Sequence, residues 1–127
     1  MSSTDPTVAL IQAAAAQDGQ PLAARVAQSS LEAAVDTWLG RVAGRTASAP
    51  ERARLVRAVE LGEATETKEV QLTRAALLRK AGLDERAAAA AAIAAGASYT
   101  VVGAVLGMTQ QGASARFGPY VADQANS

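Results

Sequence analysis

The amino-acid sequence predicts an all-α protein, and three observations support this prediction. Of the 127 residues, 33 are alanine, the residue with the highest helix propensity. Apolar residues recur at three- and four-residue spacing, and no segment shows the period-two alternation of a half-buried strand. Capping residues and glycines divide the chain into helical segments. We expect a helical dimerisation and support region over residues 1–83, followed by a tri-helical unit over residues 84–127.

Two helices are predicted in the first 43 residues. The Asp-Pro pair at 5–6 is an N-cap followed by proline at the first helical position, which predicts a helix start. The Asp-Gly pair at 18–19 predicts the end of this helix, because glycine is a poor helix former. Pro21 then predicts the start of a second helix that reaches about residue 43.

Four residues of the second predicted helix have the spacing four, three, four, which is the a/d alternation of a coiled-coil seam. They are Leu31, Val35, Trp38 and Val42. Because the chain has only four aromatic residues, we expect a thin core and a homodimer that buries this seam. For Trp38 two interpretations stay open: an anchor in the chain's own core, or an anchor in the partner chain.

The middle of the chain predicts two further helices. Residues 44–50 (GRTASAP) are expected to form a linker. Ser48 and Glu51 have the spacing of a capping box, which predicts a helix that ends near Leu61. The next helix ends at Gly82. The residues expected on its apolar face are Val70, Thr73, Leu77 and Ala81.

Glycines mark the ends and contacts of the helices in the tri-helical unit. Asp84 is expected to cap a helix that contains six consecutive alanines, residues 87–92. Gly96 is expected to end this helix, because glycine adopts the left-handed conformation without steric cost. Gly103 and Gly112 lie inside the two helices that follow. Glycine is unfavourable there, so we expect both to permit close approach of two helix backbones.

The stretch that follows Gly96 has the pattern of two short helices around a tight turn. Ser98 is in position to cap the first of them, and Gly107 closes it. Thr109 then caps the second helix, which the Gly-Pro pair at 118–119 is expected to stop. This is the helix-turn-helix pattern, whose second helix can lie in the major groove of DNA.

Residues 94–117 resemble helix-turn-helix DNA-binding proteins, including lambda-type phage repressors. They are also similar to small actinobacterial proteins with the motif GASW-x-E-I-G-x-A-L-G-V-S-R-Q-A-A-x-x-R-F. The matching positions are Gly96, Ser98, Gly103, Leu106, Gly107, Thr109, Gln111, Ala113 and Phe117. Three positions differ: Tyr99 replaces tryptophan, Val101 replaces the capping-box glutamate, and Gln110 stands where an arginine is common.

The resemblance implies sequence-specific binding of double-stranded DNA, most simply by a small transcriptional regulator. The residues expected to read bases are Thr109, Gln110, Gln111, Ser114 and Arg116. Glutamine can pair with adenine in bidentate fashion, hydroxyl side chains more often hold phosphates, and Arg116 can reach a guanine or a phosphate. Ser98 and Tyr99, at the start of the first helix, are expected to contact phosphates.

Other functions fit the same pattern. A plasmid or phage partition or replication-control protein would use the same biochemistry. A helical protein–protein adaptor would dock the helix pair onto protein, and a purely structural helical hairpin would bind neither. An acidic surface around the second helix would favour the adaptor, whereas a basic surface would favour DNA.

The net charge is zero, but the charges are unevenly distributed. Residues 1–40 carry a net charge of −3, residues 41–83 of +4, and residues 84–127 of −1. The basic strip consists of Arg41, Arg45, Arg52, Arg54 and Arg57. These arginines either solubilise an alanine-rich helix pair or supply the phosphate contacts that the predicted reading helix lacks.

Composition argues against most enzyme classes. The chain has no cysteine and no histidine, which excludes disulfides, thiolate chemistry and the usual zinc sites. Glutamates recur every three residues between 60 and 69, and we interpret them as a solvated face. No nucleotide-binding motif is present. We therefore expect a non-enzymatic protein without a metal, a cofactor or an evident small-molecule ligand. With no long apolar run, we expect it to be soluble and cytoplasmic, without a membrane partner.

Overall fold

The computed structural model describes residues 5–125, and this range forms six α-helices and one π-helical segment without a strand. The helices are α1 (Pro6–Thr37), α2 (Ala49–Glu60), α3 (Thr67–Lys80), α4 (Arg86–Ala94), α5 (Tyr99–Leu106) and α6 (Gln110–Ala125), and the π-helical segment Trp38–Ala43 directly follows α1. The prediction of an all-α fold is confirmed. Residues 1–4 and 126–127, the outer ends of the two predicted regions, lie outside the described range.

The first two predicted helices are one continuous helix, α1. Its start is as expected, because the Asp5 side chain accepts a hydrogen bond from the backbone N–H of Thr7 at 2.9 Å. The predicted break at 18–19 and new start at Pro21 are wrong. Proline removes one backbone donor, but this part of α1 is exposed, so water can bond to the carbonyl that is left free. Neighbouring alanines favour continuation of the helix.

The linker and the start of α2 agree with the sequence prediction. Gly44 has a φ of 63°, the left-handed conformation that favours glycine, and it ends the π-helical segment. The side chain of Ser48 accepts a hydrogen bond from the backbone N–H of Glu51 at 3.3 Å. This cap stabilises the first turn of α2, although α2 begins at Ala49, one residue before the expected end of the linker.

Two buried clusters form the interior, and α3 contributes to both. The N-terminal core contains Leu31, Ala34, Val35, Trp38, Leu39, Val56, Val59 and Val70. The C-terminal core contains Leu72, Ala75, Leu78, Ala88, Ala89, Ala92, Ala97, Val102, Leu106, Ala113 and Phe117. The expected boundary at residue 83 therefore cuts through one core, and the unit that holds α5 and α6 begins with α3.

The buried surface of α3 is wider than the sequence predicts. Val70 is buried as expected and Thr73 is half-buried, but Leu77 is 36% exposed. Ala81 is exposed and follows the helix, whereas Leu72 is buried. The reason is that α3 packs against α1 and α2 as well as against α4 and α5. A helix between two cores has no single apolar stripe.

α4 is short and ends as predicted. Gly96 has a φ of 109°, and its N–H donates to the carbonyl of Ile93 at 2.9 Å. The N–H of Ala97 donates to the carbonyl of Ala92 at 3.0 Å, which completes a Schellman motif. At the other end, Asp84 accepts a hydrogen bond from the backbone N–H of Arg86 at 3.0 Å, and α4 begins at that arginine.

α6 does not stop at the Gly-Pro pair 118–119, which corrects the sequence prediction. The helix continues to Ala125 with Pro119 inside it. Tertiary packing outweighs the lost hydrogen bond, because residues on both sides of the proline are held. Phe117 is fully buried before it, and after it the Tyr120 ring lies 5.7 Å from the guanidinium carbon of Arg86.

Candidate nucleic-acid interface

α5 and α6 are joined by a three-residue turn at 107–109, and both helices have the N-caps that the sequence predicts. The Ser98 side chain accepts a hydrogen bond from the N–H of Val101 at 3.1 Å. The Thr109 side chain accepts one from the N–H of Gly112 at 3.0 Å. Gly107 has a φ of 75° and ends α5. The local structure of residues 98–112 therefore follows from its capping residues.

A close backbone approach fixes the two helices relative to each other at Gly103. A Cβ atom at this position would lie 2.6 Å from the carbonyl oxygen of Met108 and 3.0 Å from that of Thr109. Only glycine fits there. The same prediction is wrong for Gly112, where an added Cβ would meet the Thr109 hydroxyl at 3.2 Å and no backbone atom of α5 within 4 Å.

The inner faces of α5 and α6 are buried in the C-terminal core. Val102 of α5 and both Ala113 and Phe117 of α6 are fully buried, and Leu106 is 8% exposed. They pack against the alanines of α4 and the inner face of α3. This packing sets the rotation of α6 about its own axis and so decides which side chains face solvent.

The outer face of α6 carries uncharged polar side chains at its start. Thr109, Gln110, Gln111 and Ser114 are all exposed. On the neighbouring helix, Tyr99 is half-buried behind its exposed cap residue. The residues predicted to read bases thus lie together on one exposed face, with the exception of the function assigned to Arg116.

Arg116 is held by a buried carboxylate that sequence reasoning missed. Its Nε donates to Oε1 of Glu85 at 3.0 Å, and Nη1 of Arg79 donates to Oε2 at 2.9 Å. The Glu85 side chain is 2% exposed. Burial raises the pKa of Glu85, but hydrogen bonds from Arg116 and Arg79 outweigh burial, and the pKa is lowered from its usual value.

These two ion pairs join α3 and α6 to the residue that precedes α4. In this structure Arg116 therefore positions α6 rather than standing free to meet a base. No spacing rule could have found the pairing, because the two arginines lie six positions before Glu85 and 31 positions after it. The available signal was an acidic residue directly before a buried alanine run.

A second charged pair lies beside the first. Arg86 donates to both carboxylate oxygens of Asp84, with Nη2 2.8 Å from Oδ2. These side-chain hydrogen bonds, together with the one from the Arg86 backbone N–H, lower the pKa of Asp84 to about 2. Arg86 also lies over the Tyr120 ring. The cations nearest to α6 in the described chain are thus engaged with carboxylates.

The predicted basic strip lies around α2, which does not contact α5 or α6 in the described part of the chain. Arg52 binds Asp36 through two hydrogen bonds of 2.6 and 2.9 Å, and these lower the pKa of Asp36. Two further ion pairs of 3.6 Å are Arg45–Glu66 and Arg57–Glu60. The other two members, Arg41 and Arg54, are exposed. Structure thus gives three of the five arginines local partners.

The predicted dimer seam is not a surface, which corrects the sequence prediction. Leu31, Val35 and Trp38 are between 0% and 6% exposed, because they pack against α2 and α3 of the same chain. Only Val42 is exposed, at 57%. The heptad-like spacing therefore marks an intrachain core, and Trp38 is a core residue. Whether the chain dimerises through another surface stays a prediction.

Comparisons of this chain with protein-family models, with curated proteins and with solved structures each find no match. Among residues 5–125, no helix is both long and apolar enough to cross a membrane. Within the same range, no three acidic, histidine or cysteine side chains come together as metal ligands would.

Proposed function

We propose that this chain binds double-stranded DNA through α6 and acts as a small, sequence-specific regulator of transcription. The observation that supports the proposal is the contrast between the two faces of this helix. Ala113 and Phe117 are fully buried on one face, so the setting of the helix is rigid. Gln110, Gln111 and Ser114 are exposed on the other face, where no apolar contact of the chain covers them.

The exposed groups suit base edges in the major groove. A glutamine amide has a donor and an acceptor side by side, which matches N7 and N6 of adenine. The hydroxyls of Thr109 and Ser114 suit phosphate oxygens, as do the helix starts at Ser98 and Tyr99, where free N–H groups carry partial positive charge. The proposal thus assigns base reading to the two glutamines and positioning to the hydroxyls and helix starts.

Electrostatic attraction to DNA at this face is expected to be weak. Arg116 and Arg86 are paired with acidic side chains, so neither adds a free positive charge beside α6. Each phosphate contact contributes about 0.9 to the slope of log K against log salt. Any steeper salt dependence would have to come from the strip around α2, through Arg41 or Arg54, and we keep phosphate contact by that strip as part of the proposal.

The test compares two glutamines of one chain. A short duplex is first selected by pull-down of genomic fragments with the purified protein. Replacement of Gln111 by alanine should then cost about 1–3 kcal/mol of discrimination between this duplex and a scrambled one, with non-specific binding unchanged. Gln17→Ala, a control at an exposed position of α1, should leave the ratio unaltered. Equal ratios for both variants would contradict base reading by Gln111.

A helical protein–protein adaptor is the second candidate, and one observation favours it. The outer face of α5 exposes Val101 and Val105 at 44% and 42%, and the surface around the start of α6 is neither acidic nor basic. Apolar side chains beside an uncharged face are typical of protein contacts. The adaptor predicts that the genomic pull-down enriches no duplex over a scrambled pool, whereas the DNA-binding proposal predicts a short enriched sequence.

A further inference from the structure

Exposed apolar side chains of the described residues are concentrated on two surfaces. Eleven large apolar side chains are exposed there, and five of them belong to residues 6–28 of α1, which we call the arm. Every residue of the arm is exposed. Three more, Val42, Leu77 and Val105, line a groove of about 1050 Å³ between the end of α1, α3 and α5. Both surfaces therefore lack the cover that such side chains normally have.

One face of α1 links the arm to the groove. We call it the α1 strip, and its members are Ile11, Ala15, Leu22, Val26, Ala33 and Thr37. At 100° per residue these six positions fall within an arc of about 80°. The residues of α1 that enter the N-terminal core, Leu31, Ala34 and Val35, lie on its far side. Thr37, the last member, lines the groove.

The α1 strip is complementary to itself when reversed. Its positions are symmetric about residue 24, so an antiparallel copy places Ile11 opposite Thr37, Ala15 opposite Ala33, and Leu22 opposite Val26. Each contact then occurs twice, as a two-fold interface requires. Large side chains meet at the centre, and small ones flank them, which lets two helix backbones approach closely. This self-complementarity specifies the occupant.

We propose that a second copy of this chain covers the α1 strip, with the two α1 helices antiparallel and each arm reaching the other copy's groove. The overlap from residue 11 to residue 37 is about 40 Å long. The first turn of each arm then lies at the π-helical segment of the other copy, beside the exposed apolar residues Val42 and Leu77. One interface therefore covers both unpartnered surfaces.

Charges agree with this register. Arg25 and Asp18 lie on the same flank of the α1 strip, and in the antiparallel pair they are offset by about 7.5 Å along the axis, within reach of an arginine side chain. The two-fold axis makes two such pairs. At the far end, Asp5 of one arm approaches the rim of the other groove, which includes Lys80. The dimer is independent of DNA binding, and either proposal can fail alone.

The first test is sedimentation of the full chain at micromolar concentration. Wild type should sediment as a dimer. Leu22→Asp should weaken dimerisation about 100-fold or more, because it places two charges at the apolar centre. Leu22 is exposed in the single chain, so its replacement should not unfold either core. The control Leu10→Asp changes the most exposed apolar residue of the arm, about 140° from the strip centre, and should leave the dimer intact.

The second test fixes the register. The chain has no cysteine, so a variant carrying both Ala15→Cys and Ala33→Cys reports only on the new pair. Mild oxidation should give a covalent dimer of the double variant and not of either single variant. A monomeric wild type, equal effects of the two aspartate substitutions, or cross-linking of Ala15→Cys alone would each overturn the proposal; the first means another partner covers the arm, the last a parallel pair.

Discussion

Alanine-rich helices occur twice in this chain, and their surroundings are opposite. In α4, Ala88, Ala89 and Ala92 are completely buried against α3 and α6. In the arm, the four consecutive alanines at 13–16 are all exposed. In α4 the small side chain lets neighbouring helices approach, whereas in the arm it contributes only helix propensity. The comparison teaches that alanine content predicts a helix but does not predict what the helix contacts.

The C-terminal core obtains its stability from a few large groups set among these alanines. Phe117 is its largest fully buried side chain, and Val102 is buried beside it. The arm has no buried side chain at all within residues 6–28. The two regions should therefore respond differently to the same kinds of substitution, and each prediction below pairs a change in the C-terminal unit with a response expected of the arm.

The largest effect is expected for Phe117→Ala. Removal of a fully buried phenylalanine leaves a cavity among alanines that cannot move inward, and should lower the free energy of unfolding by about 3–5 kcal/mol. The control is Leu10→Ala in the arm, which is 70% exposed and should change the value by about 0.5 kcal/mol or less. Urea unfolding followed by circular dichroism measures both. Similar losses would mean that the arm is packed.

Glu85→Gln should have the second-largest effect. Loss of the buried charge leaves Arg79 and Arg116 without their carboxylate, and because both are about 40% exposed the cost should be about 2–3 kcal/mol. Hydrogen bonds to the two arginines lower the pKa of Glu85 in the folded state. Its contribution is therefore present above the unfolded pKa of about 4.5 and is lost as pH falls below it.

The pH dependence supplies the measurement. Unfolding free energies of wild type and Glu85→Gln should differ at pH 7 and converge as the pH falls from 4.5 towards 3. The arm has no buried carboxylate, so arm substitutions should shift the curve without changing its shape in this window. Parallel curves for wild type and Glu85→Gln would show that this carboxylate does not couple α3, α4 and α6.

Sequence reasoning succeeded where local geometry decides the structure. The caps at Asp5, Ser48, Ser98 and Thr109 act within three residues, and the positive φ of Gly96 follows from its place after a helix. Such signals do not depend on the rest of the fold. They sufficed to predict the helical class and the exposed face at the start of α6.

Sequence reasoning failed where distant groups decide the structure. Pro21 and Pro119 are strong local signals for a helix end, yet both lie inside helices. Exposure makes the first tolerable, and packing on both sides holds the second. Likewise, the spacing around Val35 fits a dimer seam and an intrachain core equally well. Only the position of α3 between the two cores distinguishes them, and no local pattern encodes that position.

A pair of glycines sharpens the comparison further. Gly103→Ala should cost about 2 kcal/mol, because the new Cβ would lie 2.6 Å from a backbone oxygen that the turn holds in place. Gly19→Ala in the arm meets nothing within 4 Å and should instead increase helix content, by up to about 1 kcal/mol of local stability. Thermal unfolding with circular dichroism reports both. A destabilising Gly19→Ala would contradict a free helical arm.

The smallest effect is expected at the helix caps, and it separates global from local stability. Ser98→Ala removes the acceptor for the Val101 N–H, and should lower the global free energy of unfolding by about 1 kcal/mol because α5 is part of the C-terminal core. Asp5→Ala removes the equivalent acceptor for Thr7 at the free end of α1. Since the start of the arm can unwind while both cores stay folded, the same chemical loss should leave global unfolding unchanged and should instead accelerate amide exchange in the first turns of α1. Hydrogen exchange resolved by residue measures the two effects together. A fall in global stability for Asp5→Ala equal to that for Ser98→Ala would mean that the start of α1 unfolds only with the cores.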